Sequence, residues 1–233
     1  MKFASPLQPG RLIRRYKRFL ADIELDAGGM VTAHCPNPGS MMGLKAPGSR
    51  CWVSQSADPR RKLKHTLEIV EADDTLVAMN TMSPNKIAEA AIRSGAIPEL
   101  AGYETIRREV KYGVNSRIDL LLSSPDRPVC YVEVKNCHLM RTAGLAEFPD
   151  SVTARGAKHL FELSERVRAG DRAVQLFIVQ RGDCTTLSPA EDLDPAYAAA
   201  LRAAARAGVE VLAYGCEVTL KGVELAAPME IAL

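Results

Sequence analysis

Two short runs decide how this chain reads: Arg117-Ile118-Asp119-Leu120-Leu121-Leu122 and Val129-Cys130-Tyr131-Val132-Glu133-Val134-Lys135, joined by Ser123-Ser124-Pro125-Asp126-Arg127-Pro128. Each run is apolar enough for a strand, and the Ser/Pro/Asp-rich joint reads as a hairpin loop. Pairing symmetric about position 126 sets Asp119 opposite Glu133. Directly opposed residues share a face, with Cβ atoms roughly 5 Å apart. Lys135, two residues beyond Glu133, shares that face. Ile118, Leu120, Leu122, Val132 and Val134 take the other, which reads as core. A slip of one residue would put the two carboxylates on opposite faces.

Two opposed carboxylates repel unless a proton or cation sits between them. A hard divalent ion such as Mg2+, held by carboxylate and backbone oxygens, is the usual solution. The expected metal ligands are therefore Asp119 and Glu133, and Lys135 would orient a phosphate and stabilise developing negative charge. An Asp followed on the next strand by Glu-x-Lys is the catalytic layout of PD-(D/E)xK nucleases. Here Ile118 stands where that pattern has Pro. The competing reading is an exposed hairpin with Glu133 and Lys135 solvated. A third metal ligand is open between Glu89, on the preceding helix, and Glu109, which mirrors Asp119 about position 114 if Gly113-Val114-Asn115 is a turn.

Around this hairpin the chain divides near Ser83-Pro84-Asn85. Residues 84–233 read as an α/β domain: a helix over Lys86–Arg93 with Ile87, Ala91 and Ala90 buried, then strands at Glu104–Tyr112, Arg117–Leu122 and Val129–Val134. A helix starting at Pro149-Asp150-Ser151 follows, with Val152, Leu160, Leu163 and Val167 as its stripe. Ala173–Gln180 is a doubly buried strand, Pro195–Ala207 a helix closed by Gly208, and Val209–Tyr214 a last strand. Residues 1–83 read as short strands at Gly10–Tyr16, Arg18–Leu25, Met30–Ala33, Arg50–Ser54, Thr66–Glu71 and Thr75–Met79, a pattern suited to a small OB-type barrel. The expectation is an N-terminal OB-type β-barrel over 1–83 and a restriction-endonuclease-like α/β domain over 84–233.

Of the 233 residues, 30 are Lys or Arg and 28 Asp or Glu, a net charge of +2. The balance conceals an asymmetry: residues 1–83 hold 12 basic and 8 acidic groups, the remainder 18 and 20. In the barrel, Arg14, Arg15, Lys17 and Arg18 interleave with Tyr16 and Phe19, and Arg60, Arg61 and Lys62 form a second run. Cations around exposed rings suit a nucleic-acid strand, since charge holds the backbone and rings stack on bases. A solvated edge strand guarded by cations is the competing reading. In the second half Arg155 and His159 lie i, i+4 on one helix face with Lys158 beside them. Gly156 in that helix implies close approach to the sheet or to a phosphate. His34-Cys35 cannot pair as strand neighbours; that segment reads as a shaped turn running to Met41. No run is long and apolar enough for a transmembrane helix, no secretory signal is expected, and six scattered cysteines read as reduced cytoplasmic thiols.

These segments resemble the sugar fermentation stimulation protein A family. The matching stretches are Leu12–Phe19, His34-Cys35-Pro36-Asn37 with Gly39-Ser40-Met41, Arg60–Leu63, Asn80-Thr81 with Pro84-Asn85, Arg108–Gly113, Asn115–Asp119, Tyr131–Asn136, Phe148-Pro149-Asp150, and Arg155-Gly156 with Lys158-His159-Leu160. The resemblance implies an OB-type domain, a nuclease-like domain, DNA binding without strong sequence preference, and a regulatory link to sugar (maltose) utilisation. Asp119, Glu133 and Lys135 match its nuclease-like core. Pro38 stands where the family loop has Thr, and Cys137-His138 replace more apolar residues.

The leading expectation is thus a cytoplasmic protein that binds DNA through Arg14, Arg15, Lys17, Arg18, Arg60, Arg61, Lys62, Arg155 and Lys158. RNA is a second candidate polyanion, no membrane partner is expected, and monomer or homodimer is open. The alternative is a Mg2+-dependent nuclease using Asp119, Glu133 and Lys135. A barrel that senses a sugar or nucleotide is the third class.

Overall fold

The computed structural model describes all 233 residues. Its first six strands are β1 (Gln8–Tyr16), β2 (Leu20–Leu25), β3 (Met30–His34), β4 (Arg50–Gln55), β5 (His65–Ala72) and β6 (Thr75–Ala78). They run β3-β2-β1-β4-β5-β6, and a β3–β5 pairing closes five of them into a barrel. This is the OB arrangement expected from the strand spacing. Closure removes the sheet edges, and Leu12, Ile23, Met41, Leu67, Val70 and Met79 fill the interior. The β1–β2 turn is tight: Lys17 and Arg18 both adopt positive φ, 48° and 65°.

The second domain comprises α1 (Ser83–Ser94), β7 (Thr105–Tyr112), β8 (Ser116–Ser124), β9 (Arg127–Cys137), β10 (Leu139–Thr142), β11 (Leu145–Phe148), α2 (Ala154–Arg168), β12 (Arg172–Val179), β13 (Thr186–Pro189), α3 (Pro195–Arg206), β14 (Glu210–Thr219), β15 (Gly222–Pro228) and β16 (Glu230–Ile231). Its main sheet is ordered β15-β14-β12-β9-β8-β7. β7, β8 and β9 form the expected antiparallel meander, and β9, β12 and β14 are parallel. α1 covers one face through Ile87, Ala88, Ala91 and Ile92. α2 and α3 cover the other through Leu160, Leu163, Tyr197 and Leu201. Seven of the eight β12 residues are buried, as helices on both faces require.

The sequence expectation needs correcting in several places. Ala90 is exposed and Ala88 takes its buried position. α2 begins three residues after Ser151: Thr153 is its cap, accepting the Gly156 N–H at 3.1 Å, and Val152 is exposed. A four-stranded sheet, β10-β11-β13-β16, went unread because its strands are short and mostly paired with distant partners. The first three residues, counted with the barrel, are anchored on the second domain. The Met1 amino group donates to the Val223 carbonyl at 2.5 Å, Phe3 N–H donates to Lys221, and both side chains pack on the α1-side core.

Polar groups join the two domains. The Ala78 N–H donates to the Gln180 carbonyl, and the Gln180 amide donates to the Asn80 carbonyl and to Asn136 Oδ1. The Asn136 amide lies 3.0 Å from His138 Nδ1, and Asn37 lies 3.4 Å from His138 Nε2. Arg181, 1% exposed, pairs with Asp183 and reaches across to Asp73. The segment from Cys35 to Met41 is a turn that docks here: Met41 N–H donates to Asp150 Oδ2, and a Cβ on Gly39 would sit 2.6 Å from that carboxylate. Asp150, read from sequence as a helix start, is therefore an interdomain acceptor.

Candidate phosphodiester-binding centre

Leu120, Leu121 and Leu122 pair with Val132, Tyr131 and Cys130, which is the register that sets Asp119 opposite Glu133. The ladder stops at Leu120. Beyond it the Asp119 side chain replaces the backbone, with Oδ2 accepting the Val134 N–H at 2.8 Å. Oδ1 accepts from Asn85 near the start of α1, also at 2.8 Å. Glu133 is 3% exposed, and its Oε1 receives Lys135 Nζ at 2.6 Å and the His159 imidazole from α2. Its Oε2 is buried without any partner. Gln175 on β12 donates to the Glu133 carbonyl and fixes the strand behind it.

Burial and the neighbouring Glu133 charge push the Asp119 carboxyl up to about 6. For Glu133 burial acts in the same direction, but His159 and Lys135 prevail and hold its carboxyl below the ordinary range. One carboxylate of the pair is thus offset by Lys135 and the His159 imidazole, while burial and that neighbouring carboxylate disfavour ionisation of the other. Two adjacent carboxylates, one bearing an orphaned oxygen, form a hard-oxygen donor set of the kind Mg2+ or Ca2+ takes. No cluster of three His, Cys, Asp or Glu side chains surrounds a metal-sized position. Remaining ligands would come from backbone carbonyls, water or phosphate.

Neither proposed third acid joins the pair. Glu89 is held by Arg93 at 2.8 Å and by Arg108, which keep its carboxyl low against the effect of burial. Glu109 is exposed, with a backbone φ of 52°. Ile118 also departs from expectation. It packs with the α2-side core, whereas Leu120 and Leu122 pack under α1, so β7 and β8 change face at Glu109 and Asp119 while β9 keeps Val132 and Val134 under α1.

The basic residues fall into distinct groups. Arg155 Nε lies 3.3 Å from His159 Nε2, at the rim of the centre. Lys158 donates to the Val114 carbonyl at 2.7 Å, tying α2 to the β7–β8 turn. Arg14 is paired with Asp22 and Arg60 with Asp58. Arg15 donates to the Arg18, Asn37 and Gly39 carbonyls, and Arg18 to that of Pro38, so both brace the docking turn. Arg61 donates to Thr66 Oγ1. Lys17 and Lys62 are exposed and uncommitted, and Phe19 beside Lys17 is 52% exposed. The barrel's net charge thus overstates its free cations.

Sequence reasoning missed Asn85, Gln175 and the Glu133 partnership of His159. A polar Gln between Val174 and Leu176 in a doubly buried strand was a usable signal, because such a group needs a specific partner. The His159 contact depends on how α2 lies against β9, which no local pattern reveals.

Residues 13–79 match the family model described as the SfsA N-terminal OB domain, and residues 82–222 match the sugar fermentation stimulation protein RE domain. The sugar fermentation stimulation protein homolog of Maricaulis maris is 59% identical over all 233 residues and 99% of its own length. That of Caulobacter vibrioides is 56% identical over 97% of this chain and 95% of its own. Among solved structures, Pyrococcus furiosus SfsA in complex with Ca2+ superposes with a TM-score of 0.90 at 28% identity, covering 100% of this chain and 98% of that one. The chain belongs to the sugar fermentation stimulation protein family.

Proposed function

We propose that this protein binds DNA through its phosphate backbone with little sequence preference, and that Asp119 and Glu133 hold a divalent cation against one bound phosphate. The observation that carries this reading is the convergence of a half-buried carboxylate, Asp119, and a buried one, Glu133, which has one unpartnered oxygen, with Lys135. A bound cation would supply charge neutralisation and polarisation of a phosphate oxygen. Lys135, 14% exposed, can reach a phosphate as a point charge, and Arg155 extends the positive rim. His159 and Gln175 keep Glu133 oriented. The archaeal relative was solved with Ca2+, an oxygen-liganded ion of the same class.

On the barrel, Lys17, Lys62 and the exposed Phe19 suit backbone and base contacts. The packed interior, with Leu12, Ile23 and Leu67 fully buried, is a core rather than a sugar cavity. A role in sugar (maltose) utilisation would then run through nucleic acid. RNA offers the same phosphate chemistry, and competition by each polymer tests the preference.

A second reading, Mg2+-dependent hydrolysis of the phosphodiester, is favoured by the placement of Lys135 beside the carboxylate pair. Incubation of labelled DNA and RNA with Mg2+, Mn2+ or chelator separates the two. Metal-dependent cleavage lost in Lys135→Ala establishes hydrolysis. Salt-sensitive binding without cleavage establishes binding alone.

A further inference from the structure

Two large apolar side chains stand in the open on the α2 side of the sheet, the side on which Glu133, Lys135 and His159 meet. Phe161, in the middle of α2, is 62% exposed, and Val114, at the tip of the β7–β8 turn, is 73% exposed. Neither takes part in a core. Lys158 is their common neighbour: its ammonium donates to the Val114 carbonyl at 2.7 Å, and it precedes Phe161 by three residues on α2. The turn is held from its other side as well, because the Val114 N–H donates to Glu162 Oε1 at 3.1 Å. The two apolar groups are thus fixed on the surface.

Helix geometry connects Phe161 to the centre. Side chains three residues apart form a ridge on a helix surface, and Arg155, Lys158 and Phe161 make such a ridge, all three exposed. Its first member touches the centre: Arg155 Nε lies 3.3 Å from His159 Nε2, and His159 holds Glu133. Phe161 stands about 9 Å further along the helix axis than Arg155. That advance equals about two to three base steps of a stacked strand. The acids of α2 beside the ridge are engaged. Glu162 is buried, holds the turn and sits 3.6 Å from Lys158, and Glu165 pairs with Arg168. Cations followed by an open aromatic face suit the phosphates and then a base of an unpaired strand. A duplex keeps its base faces stacked inside and offers Phe161 nothing to cover.

We propose that Phe161 is a stacking platform for one unpaired nucleobase, on a strand whose phosphate lies at the Asp119–Glu133 centre and whose backbone passes Arg155 and Lys158. The assignment rests on the DNA-binding reading and narrows its ligand to single-stranded or frayed nucleic acid. Val114 closes the apolar edge of the platform. Every base has a π-face, so the platform reads no sequence.

The test compares Phe161→Ala and Phe161→Trp with the intact protein, using a labelled single strand and a blunt duplex of the same sequence, by fluorescence anisotropy in Ca2+. Phe161→Ala should weaken single-strand binding by about tenfold and leave duplex binding unchanged. Both variants should keep the melting temperature, because the side chain belongs to no core. Phe161→Trp should restore single-strand affinity, and its indole emission should be quenched by the strand. The intact protein, whose one tryptophan, Trp52, is 8% exposed, should show no such quenching. Single-strand affinity equal in Phe161→Ala and the intact protein, or an equal loss on the duplex, would overturn the platform while leaving the DNA reading standing. Intact protein that binds neither polymer would overturn the DNA reading and the platform with it. A dimer that Phe161→Ala dissociates, with strand affinity unchanged, would assign the ridge to a second copy of the chain and overturn the platform.

Discussion

Replacing Asp119 by Asn should make the protein more stable at neutral pH while removing its cation response. The folded protein raises this carboxyl from its ordinary 3.8 to about 6, chiefly by burial and then by the Glu133 charge. At about 1.36 kcal/mol per pH unit, that rise bounds the cost of keeping Asp119 ionised at about 3 kcal/mol. The sign follows from proton counts. Between about pH 4 and 6 the folded state holds more protons than the unfolded one, so stability falls as pH rises through that window and stays low above it. Asn removes the penalty but turns an amide toward Asn85, whose own amide donates to Asp119 at 2.8 Å. Subtracting about 1 kcal/mol for that lost hydrogen bond, and allowing for partial solvent access, leaves a gain of about 1–2 kcal/mol. For a chain of this size that corresponds to about 2–8 °C in melting temperature. Thermal unfolding at pH 7.5 and at pH 4 checks it. The gain should appear at the higher pH and vanish at the lower. Equal stability at pH 7.5, or a gain of the same size at pH 4, would refute the electrostatic account of the pair.

Three further substitutions probe the surroundings. Asp150→Asn should cost about 1–2 kcal/mol at pH 7, since, against the effect of burial, the nearby His138 and then the Met41 N–H hold this carboxyl below the ordinary range. Because its folded pKa is depressed, the native contribution is present above the unfolded pKa and fades as pH falls through the folded one, so the deficit in urea midpoint should shrink in acid. Glu89→Gln should destabilise by about 1–2 kcal/mol, since Arg93 and Arg108 are half-exposed, yet leave divalent-cation affinity by calorimetry unchanged. Gly156→Ala should lower the melting temperature despite better helix propensity. The new Cβ would lie 2.9 Å from Thr153 Cγ2 and 3.0 Å from Tyr197, an overpacking cost of about 1–3 kcal/mol.

The decisive register was legible because loop length and alternation constrain a hairpin tightly, and Asp119 and Glu133 follow from it. The barrel strands were legible for a similar reason: short alternating runs separated by Gly, Pro and Asn leave few alternatives. What local pattern could not supply was the partner of each charge. Arg14 and Arg60 looked available for DNA and are paired with Asp22 and Asp58. Arg15 and Arg18 brace the docking turn through backbone carbonyls, which sequence does not display. Glu89 looked like a ligand and is occupied by two arginines, Arg93 on its own helix and Arg108 on β7. Gly156 in a helix implies close approach to the sheet or to a phosphate, and in the structure it makes room for Tyr197 of α3. The face change at Asp119 was invisible because alternation presumes regular φ and ψ, and Glu109 lies outside them.

The central claim is that Asp119 and Glu133 position a divalent cation on a DNA phosphate. Its most direct test is duplex affinity measured by anisotropy against rising Ca2+ at constant ionic strength, for the intact protein and for Asp119→Ala. Ca2+ should tighten binding by about tenfold or more in the intact protein, equivalent to about 1.4 kcal/mol, and should have no effect on the variant. The same Ca2+ response in both proteins, or none in the intact one, would contradict it.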